Sequence, residues 1–126
     1  MAHSVQDMLA AANDCVPKIS VAEAERLIRD KGALLVDVRE AQELASSGKL
    51  ASALHVSRGM LEFKADSSSP ACNPEFRTDR PIILYCASGG RSSLSGKTLR
   101  DLGYKDVYNL GGFKDAVAAG FPTEAA

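Results

Sequence analysis

A cysteine followed by a glycine pair and an arginine is the segment of this sequence with the clearest chemistry. It reads Cys86-Ala87-Ser88-Gly89-Gly90-Arg91-Ser92 and comes at the end of an apolar run. Where such a loop enters a helix, backbone N–H groups converge and the helix adds partial positive charge, so an anion is bound and the pKa of a thiol falls. The glycines permit positive φ angles, and the arginine adds a planar cation.

We therefore predict a nucleophilic Cys86 thiolate inside an anion-binding loop. The predicted substrate-binding residues of this loop are Ala87, Ser88, Gly89, Gly90, Arg91 and Ser92. The alternative is an inert, buried cysteine before an ordinary glycine turn. The glycine pair is not a nucleotide-binding P-loop, because the sequence has no G-x-x-x-x-G-K-[ST] motif.

Three charged residues outside the loop are candidates for the same site. Asp37 and Arg39 follow one apolar run, and Arg58 follows another. Active sites of open parallel sheets lie beyond the carboxyl ends of the strands, so both arginines are predicted to bind the anionic substrate. The alternatives are an ion pair of Arg39 with Glu40 or Glu43 and a solvated position for Arg58. Asp37 is interpreted as a structural support that caps a turn.

The cysteine count indicates a reducing compartment. Cys15, Cys72 and Cys86 are odd in number, and no two have the C-x-x-C spacing of a zinc or redox site. We expect reduced thiols in a cytoplasmic protein. Cys72 lies in the Ser- and Pro-rich loop 65–74 and is either a possible resolving thiol for Cys86 or an exposed bystander. No metal-ligand cluster is present, and the expected chemistry needs no metal or other cofactor.

Apolar spacing along the chain predicts alternating helices and strands. Ser20 and Glu23 form a capping box before one helical pattern, and Gly32 ends it. The predicted helices cover 5–12, 20–32, 91–102 and 112–119, with a helical turn or two at 58–64. The predicted strands cover 33–38, 53–56, 81–86 and 107–110.

This alternation predicts an α/β fold with three layers, in which helices cover both faces of a mostly parallel central sheet. Phe63, Phe76 and Phe113 are expected in its core. The predicted organisation is an N-terminal helical extension at 1–17, one domain at 18–123, and a C-terminal tail at 124–126.

Composition excludes several classes of partner. The 126 residues carry 15 Lys and Arg against 16 Asp and Glu, a net charge of −1, so no polybasic surface for nucleic acid is indicated. The apolar runs are far shorter than the roughly 18 residues that span a bilayer, so no membrane partner is expected.

The motifs resemble those of the rhodanese family of single-domain sulfurtransferases between about 19 and 122. The segment 86–92 is similar to the family's active-site loop, with Cys86 as its nucleophile. Asp37-Val38-Arg39-Glu40 is similar to its D-V-R-x signature, and Leu110-Gly111-Gly112-Phe113 to its closing motif. The stretch 48–53 departs from the family's G-H-I-P-G-A, and Ala116 stands where a tryptophan is usual.

The resemblance implies a rhodanese-like fold and transfer of a sulfane sulfur through a Cys86 persulfide. The implied donor is thiosulfate or a polysulfide, and the implied acceptor is cyanide, a small thiol or a protein cysteine. Related phosphatases use C-x5-R, whereas Arg91 is five positions after Cys86, a C-x4-R loop that favours sulfur chemistry. The alternatives are a phosphatase or arsenate-reductase-like enzyme and a sulfur-carrier or binding module for a partner protein.

Overall fold

A four-stranded parallel sheet forms the centre of the molecule. The computed structural model describes residues 2–126. The strand order is β3-β1-β4-β5, and all neighbouring pairs are parallel. The strands are β1 (Leu34–Asp37), β3 (Leu54–His55), β4 (Ile82–Cys86) and β5 (Val107–Gly112). A separate antiparallel pair joins β2 (Lys49–Leu50) to β6 (Thr123–Glu124). The predicted α/β fold with a mostly parallel sheet is confirmed.

Helices connect the strands and cover the sheet, as the parallel topology requires. They are α1 (Val5–Cys15), α2 (Val21–Lys31), α3 (Ala41–Ser47), α4 (Leu61–Ala65, preceded by a 3-10 turn at Arg58–Met60), α5 (Gly90–Asp101) and α6 (Phe113–Ala118). As predicted, the Ser20 and Glu23 capping box begins α2, and the left-handed Gly32 ends it. Within residues 2–126, no helix has the length and apolar character needed to cross a bilayer.

Two apolar clusters pack against opposite faces of the sheet. Alternate residues of β1 and β4 point to opposite sides, so that Val36 and Leu84 belong to one cluster and Leu35 and Ile83 to the other. Leu99 of α5 joins the first cluster. The second includes residues of α2 and α6. Because both faces are covered, β1 and β4 are buried along their whole length, which explains their continuous apolar sequences.

Helix α1 packs directly on α5, the helix that follows the cysteine loop. A Cβ built on Gly96 of α5 would lie 2.7 Å from Cγ1 of Val16, so the two segments meet at van der Waals contact. The Ser93 hydroxyl donates a hydrogen bond of 2.6 Å to Asn13 of α1. Backbone bonds from Ile19 N–H to Asn109 O and from Asn109 N–H to Pro17 O continue this contact onto β5.

Three elements were not predicted from the sequence: α3, β2 and β6. Helix α3 has seven residues and buries Leu44 alone, which is too little for an apolar repeat to be recognised. Strands β2 and β6 have two residues each, and β6 includes Glu124, the first residue of the predicted tail. Phe76 and Phe113 are buried as expected, but Phe63 is 56% exposed, so its prediction as a core residue was wrong.

Replacing Gly96 by alanine is expected to lower the free energy of unfolding by about 1–3 kcal/mol, because the added methyl group would overlap Val16. Inside a helix the same exchange otherwise stabilises by about 1 kcal/mol. Urea denaturation followed by circular dichroism measures the change. Gly59→Ala is the matched control, since a Cβ there meets no atom within 4 Å. An unchanged midpoint for Gly96→Ala would contradict the close packing of α1 on α5.

Candidate active site

Cys86 is the last residue of the central strand β4, and α5 begins four residues later at Gly90. The intervening turn is possible because Gly89 adopts φ 98°, a left-handed conformation that favours glycine. A Cβ on Gly112 would lie 2.6 Å from the Ala87 carbonyl oxygen, so β5 passes directly beside the loop. The thiol-bearing residue is 1% exposed, which places the sulfur inside this cradle.

Hydrogen bonds converge on the Cys86 sulfur. The Gly89 N–H donates to Sγ at 3.0 Å, and the Ser92 Oγ lies 3.5 Å from the same atom. Burial by itself raises the pKa of the thiol, but hydrogen bonds from the Ser92 side chain and from the backbone of Ser92, Ser88 and Gly89 outweigh it. The pKa of Cys86 therefore lies below the ordinary value of a cysteine, as a nucleophilic thiolate requires.

Asn109 of β5 holds this loop in place and was not identified from the sequence. Its Oδ1 accepts hydrogen bonds from the Ser92 hydroxyl at 2.7 Å and from the Gly111 N–H at 2.9 Å. Its Nδ2 donates to the Gly89 carbonyl oxygen at 3.1 Å. Asn109 is 1% exposed, and an amide in the middle of an otherwise apolar strand was the one signal that could have revealed it.

Arg91 is bound by Glu43 of α3, which the sequence indicated only as a partner of Arg39. The guanidinium donates two hydrogen bonds, Nη1 to Oε2 at 2.8 Å and Nη2 to Oε1 at 2.9 Å. These bonds from Arg91 lower the pKa of Glu43 to about 2, so the pair is fully ionised at neutral pH. The arginine of the loop is thus neutralised within the protein, where a free cation was expected.

A cavity of about 480 Å³ borders the loop at Ala87. Helices α3 and α6 form its walls. Its lining residues are Arg39, Gln42, Glu43, Ser46, Ser47, Ala87, Phe113 and Lys114. Since it lies beside the residue that follows Cys86, this cavity is the candidate binding site for a substrate. Gln42, Ser46 and Lys114 are further lining residues that the sequence analysis did not identify.

Arg39 lines this cavity but its guanidinium has structural partners, so its role as a substrate-binding residue stays a prediction. Its guanidinium donates to Asp37 at 2.7 Å, to the Ser47 hydroxyl at 2.9 Å and to the Gly48 carbonyl at 2.9 Å. The guanidinium also lies over the Phe113 ring, 4.3 Å from its centroid. These contacts occupy the guanidinium, and its ion-pair partner is Asp37, neither Glu40 nor Glu43. Asp37 has the supporting position expected of it.

The other predicted arginine, Arg58, lies away from the loop. Its guanidinium donates to Glu62 at 3.0 Å and to the Thr98 hydroxyl at 2.9 Å. Thr98 is seven residues after Arg91 on the same helix, which is about 10 Å along its axis. Arg58 lines a different cavity, between α1 and α5. This position gives no support to the prediction that Arg58 binds the substrate of Cys86.

Cys72 is exposed, and its surroundings favour the bystander alternative over a resolving thiol. Next to it, the Asn73 N–H donates to the Lys64 carbonyl at the end of α4, where Tyr104 donates to the Ala65 carbonyl. Tyr104 follows α5, so this region faces the end of α5 opposite to Cys86. Helix α5 is about 18 Å long, so Cys72 and Cys86 lie near its opposite ends. The Cα atoms of two disulfide-bonded cysteines are only about 4.4–6.8 Å apart. Cys72 is an exposed bystander in this structure.

A family model and several solved structures match this chain. A model of the rhodanese-like domain matches residues 20–119. A Rhodopseudomonas palustris protein of unknown function, named a possible tyrosine phosphatase, is 35% identical with a TM-score of 0.88, over 98% of this chain and 96% of that one. The polysulfide-sulfur transferase homodimer of Wolinella succinogenes is 31% identical with a TM-score of 0.73, over 92% of this chain and 83% of that one.

A curated relative is the uncharacterized protein YqhL of Bacillus subtilis. It is 37% identical over 83 residues, which are 65% of this chain. The match spans 59% of the length of that relative. Helix α1 precedes the residues that the family model matches.

Ser92→Ala is expected to raise the pKa of Cys86, because the thiolate loses the Ser92 hydroxyl, whose single proton is shared between the sulfur and Asn109 Oδ1. The rate of alkylation by iodoacetamide rises with pH through the thiol pKa, so the curve of the variant moves to higher pH and its rate at neutral pH falls. Mass spectrometry of the Cys86 peptide measures the rate. Ser93→Ala is the control, since that hydroxyl donates to Asn13. Coincident curves for Ser92→Ala and the wild type would show that Ser92 does not act on the sulfur.

Arg39→Ala is expected to lower the free energy of unfolding by about 3–5 kcal/mol, because it leaves the buried Asp37 carboxylate without its partner. Arg29→Ala removes an exposed ion pair with Asp30 and should cost less than about 1 kcal/mol. Urea unfolding of both variants gives the comparison. If Arg39→Ala and Arg29→Ala both lowered the free energy of unfolding by less than about 1 kcal/mol, the Asp37–Arg39 pair would not support the fold.

Proposed function

Because this chain belongs to the rhodanese-like domain family, we propose that it is a sulfurtransferase in which Cys86 carries a sulfane sulfur as a persulfide. The observation that supports this most is the Gly89 N–H at 3.0 Å from the Cys86 sulfur, inside a loop that lowers the pKa of that thiol. The resemblance to the Wolinella succinogenes polysulfide-sulfur transferase supports the same chemistry.

In the first half-reaction the Cys86 thiolate attacks the outer sulfur of thiosulfate or a sulfur of a polysulfide. The new bond joins Cys86 Sγ to the sulfane sulfur, and the old sulfur–sulfur bond breaks with its electron pair on the leaving group. Sulfite or a shorter polysulfide departs. The persulfide anion keeps the negative charge within the loop, where the backbone N–H groups that stabilise the thiolate can stabilise it as well.

In the second half-reaction a thiophilic acceptor attacks the outer sulfur of the persulfide. Cyanide, a small thiol or a cysteine of a partner protein can accept it, and the Cys86 thiolate is restored. No cofactor takes part in this sequence of steps. We propose the cytoplasm as the compartment, because Cys15, Cys72 and Cys86 are all unpaired, as cysteines are in a reducing compartment. A nucleic acid or a membrane has no part in this function.

Phosphate-ester hydrolysis is the second candidate, because the Rhodopseudomonas palustris neighbour is named a possible tyrosine phosphatase. Two features of this chain weigh against it. The loop has four residues between Cys86 and Arg91, one fewer than C-x5-R. Arg91 is also bound to Glu43, so it does not point freely at a phosphate dianion. Hydrolysis of p-nitrophenyl phosphate that disappears in Cys86→Ser would establish this second function instead.

Thiosulfate or a polysulfide is expected to add one sulfur, about 32 Da, to the purified protein, and cyanide should remove it. Intact-mass spectrometry measures the adduct. Cys86→Ser should show no adduct, and Cys72→Ser should retain it, because Cys72 is an exposed residue of a loop bonded to the end of α4. A wild-type protein that gains no sulfur from either donor would contradict the proposed sulfurtransferase.

A further inference from the structure

We infer that Glu43 is a specificity-determining residue that makes this site favour hydropersulfides, donors with a thiolate leaving group, over thiosulfate. The inference rests on the proposed sulfurtransferase function and narrows its donor class. Glu43 acts by holding Arg91, the arginine of the cysteine loop, in an internal ion pair. Its role is visible only in the structure, since the two residues lie 48 positions apart.

The geometry of the pair determines how much positive charge a donor meets. Both terminal nitrogens of Arg91 donate to Glu43, at 2.8 and 2.9 Å, which is the planar two-point arrangement that binds a guanidinium most firmly. The two side chains are 36% and 34% exposed, so the pair is partly shielded from solvent. An anion can bind the Arg91 guanidinium only by displacing the Glu43 carboxylate, which already accepts hydrogen bonds from both of its terminal nitrogens.

Other charges around the cavity do not replace Arg91. Arg91 touches the cavity through Glu43, and the arginine of the lining itself, Arg39, is neutralised by Asp37 at 2.7 Å and is 3% exposed. Lys114 of α6 is the remaining cation on the wall. With Cys86 as a thiolate, the charges of Glu43, Arg91, Asp37, Arg39, Lys114 and Cys86 sum to zero. The site thus offers the loop N–H groups and one lysine to an incoming donor.

The two donor classes differ in the charge that must be stabilised beside the loop. With thiosulfate, Cys86–S⁻ and S–SO₃²⁻ give Cys86–S–S⁻ and SO₃²⁻, so a thiolate meets a dianion whose charge is concentrated on three oxygens. With a hydropersulfide, Cys86–S⁻ and R–S–SH give Cys86–S–SH and R–S⁻, which develops one charge spread on sulfur. A cavity with a neutralised arginine suits the second reaction better than the first.

The test compares kcat/KM for thiosulfate and for glutathione hydropersulfide in the full-length protein. The wild type is expected to prefer the hydropersulfide. Glu43→Gln keeps the size of the side chain but removes the charge that neutralises Arg91 and one of its two acceptors, so the ratio of thiosulfate to hydropersulfide activity should rise about tenfold, the size of one charge-assisted hydrogen bond. Glu40→Gln is the matched control, because Glu40 precedes the same helix and its side chain lies outside the cavity lining.

The double variant Glu43→Gln with Arg91→Gln should lose this gain, because the gain depends on the freed guanidinium. A wild type that uses thiosulfate as well as the hydropersulfide would overturn the inference while leaving the sulfurtransferase intact. An unchanged donor ratio in Glu43→Gln would overturn it in the same way. Transfer from neither donor would overturn the proposed function, and the selection by Glu43 with it.

If Glu43→Gln does not fold, a second variant tests whether positive charge in the cavity changes the choice of donor. Ser46→Lys adds a cation to the cavity wall and leaves the Glu43–Arg91 pair in place. It should also raise the ratio of thiosulfate to hydropersulfide activity, and raising the salt concentration should reduce the gain. A Ser46→Lys protein with the donor ratio of the wild type would show that charge in this cavity does not select the donor.

Discussion

The buried ion pair between Asp37 and Arg39 is the contact on which the rest of the site depends. It begins at the carboxyl end of β1 and reaches Ser47 and the Gly48 carbonyl at the end of α3, so it fixes that helix against the sheet. Helix α3 in turn carries Glu43, which binds Arg91 of the cysteine loop. An ion pair that is almost wholly shielded from water retains its geometry, and each later contact relies on the position that this one sets.

The chemistry of Cys86 depends more on hydrogen bonds than on free charge. Peptide N–H groups and the Ser92 hydroxyl lower the pKa of the thiol against the effect of burial. Asn109 keeps these donors in position, because its amide binds both Ser92 and the Gly89 carbonyl. Dipoles that are already oriented need no rearrangement when the sulfur gains charge, which suits a residue that alternates between thiolate and persulfide. Arg91, by contrast, has its charge satisfied within the protein by Glu43.

Helix α1 extends this support beyond the residues that the family model matches. It contacts α5 through Asn13 and Val16, and the segment after it pairs with the backbone of Asn109. The loop and the start of α5 are therefore in contact with α1 and β5 on one side, and with Glu43 of α3 on the other side. The cavity opens between α3 and α6, where a donor can approach the residue that follows Cys86.

The sequence by itself determined the elements and the nucleophile candidate, because those depend on neighbouring residues. The apolar runs of β1 and β4, the capping box at Ser20 and the glycine loop after Cys86 are local patterns, and the structure has them where they were predicted. Only the tertiary structure decided the partners of the charged side chains. Asn109, Glu43 and Arg39 have roles set by residues from other elements, and no periodicity records which element will lie beside them. Ion pairs and hydrogen bonds between distant segments depend on how the sheet and helices pack, so they appear only once the chain is folded.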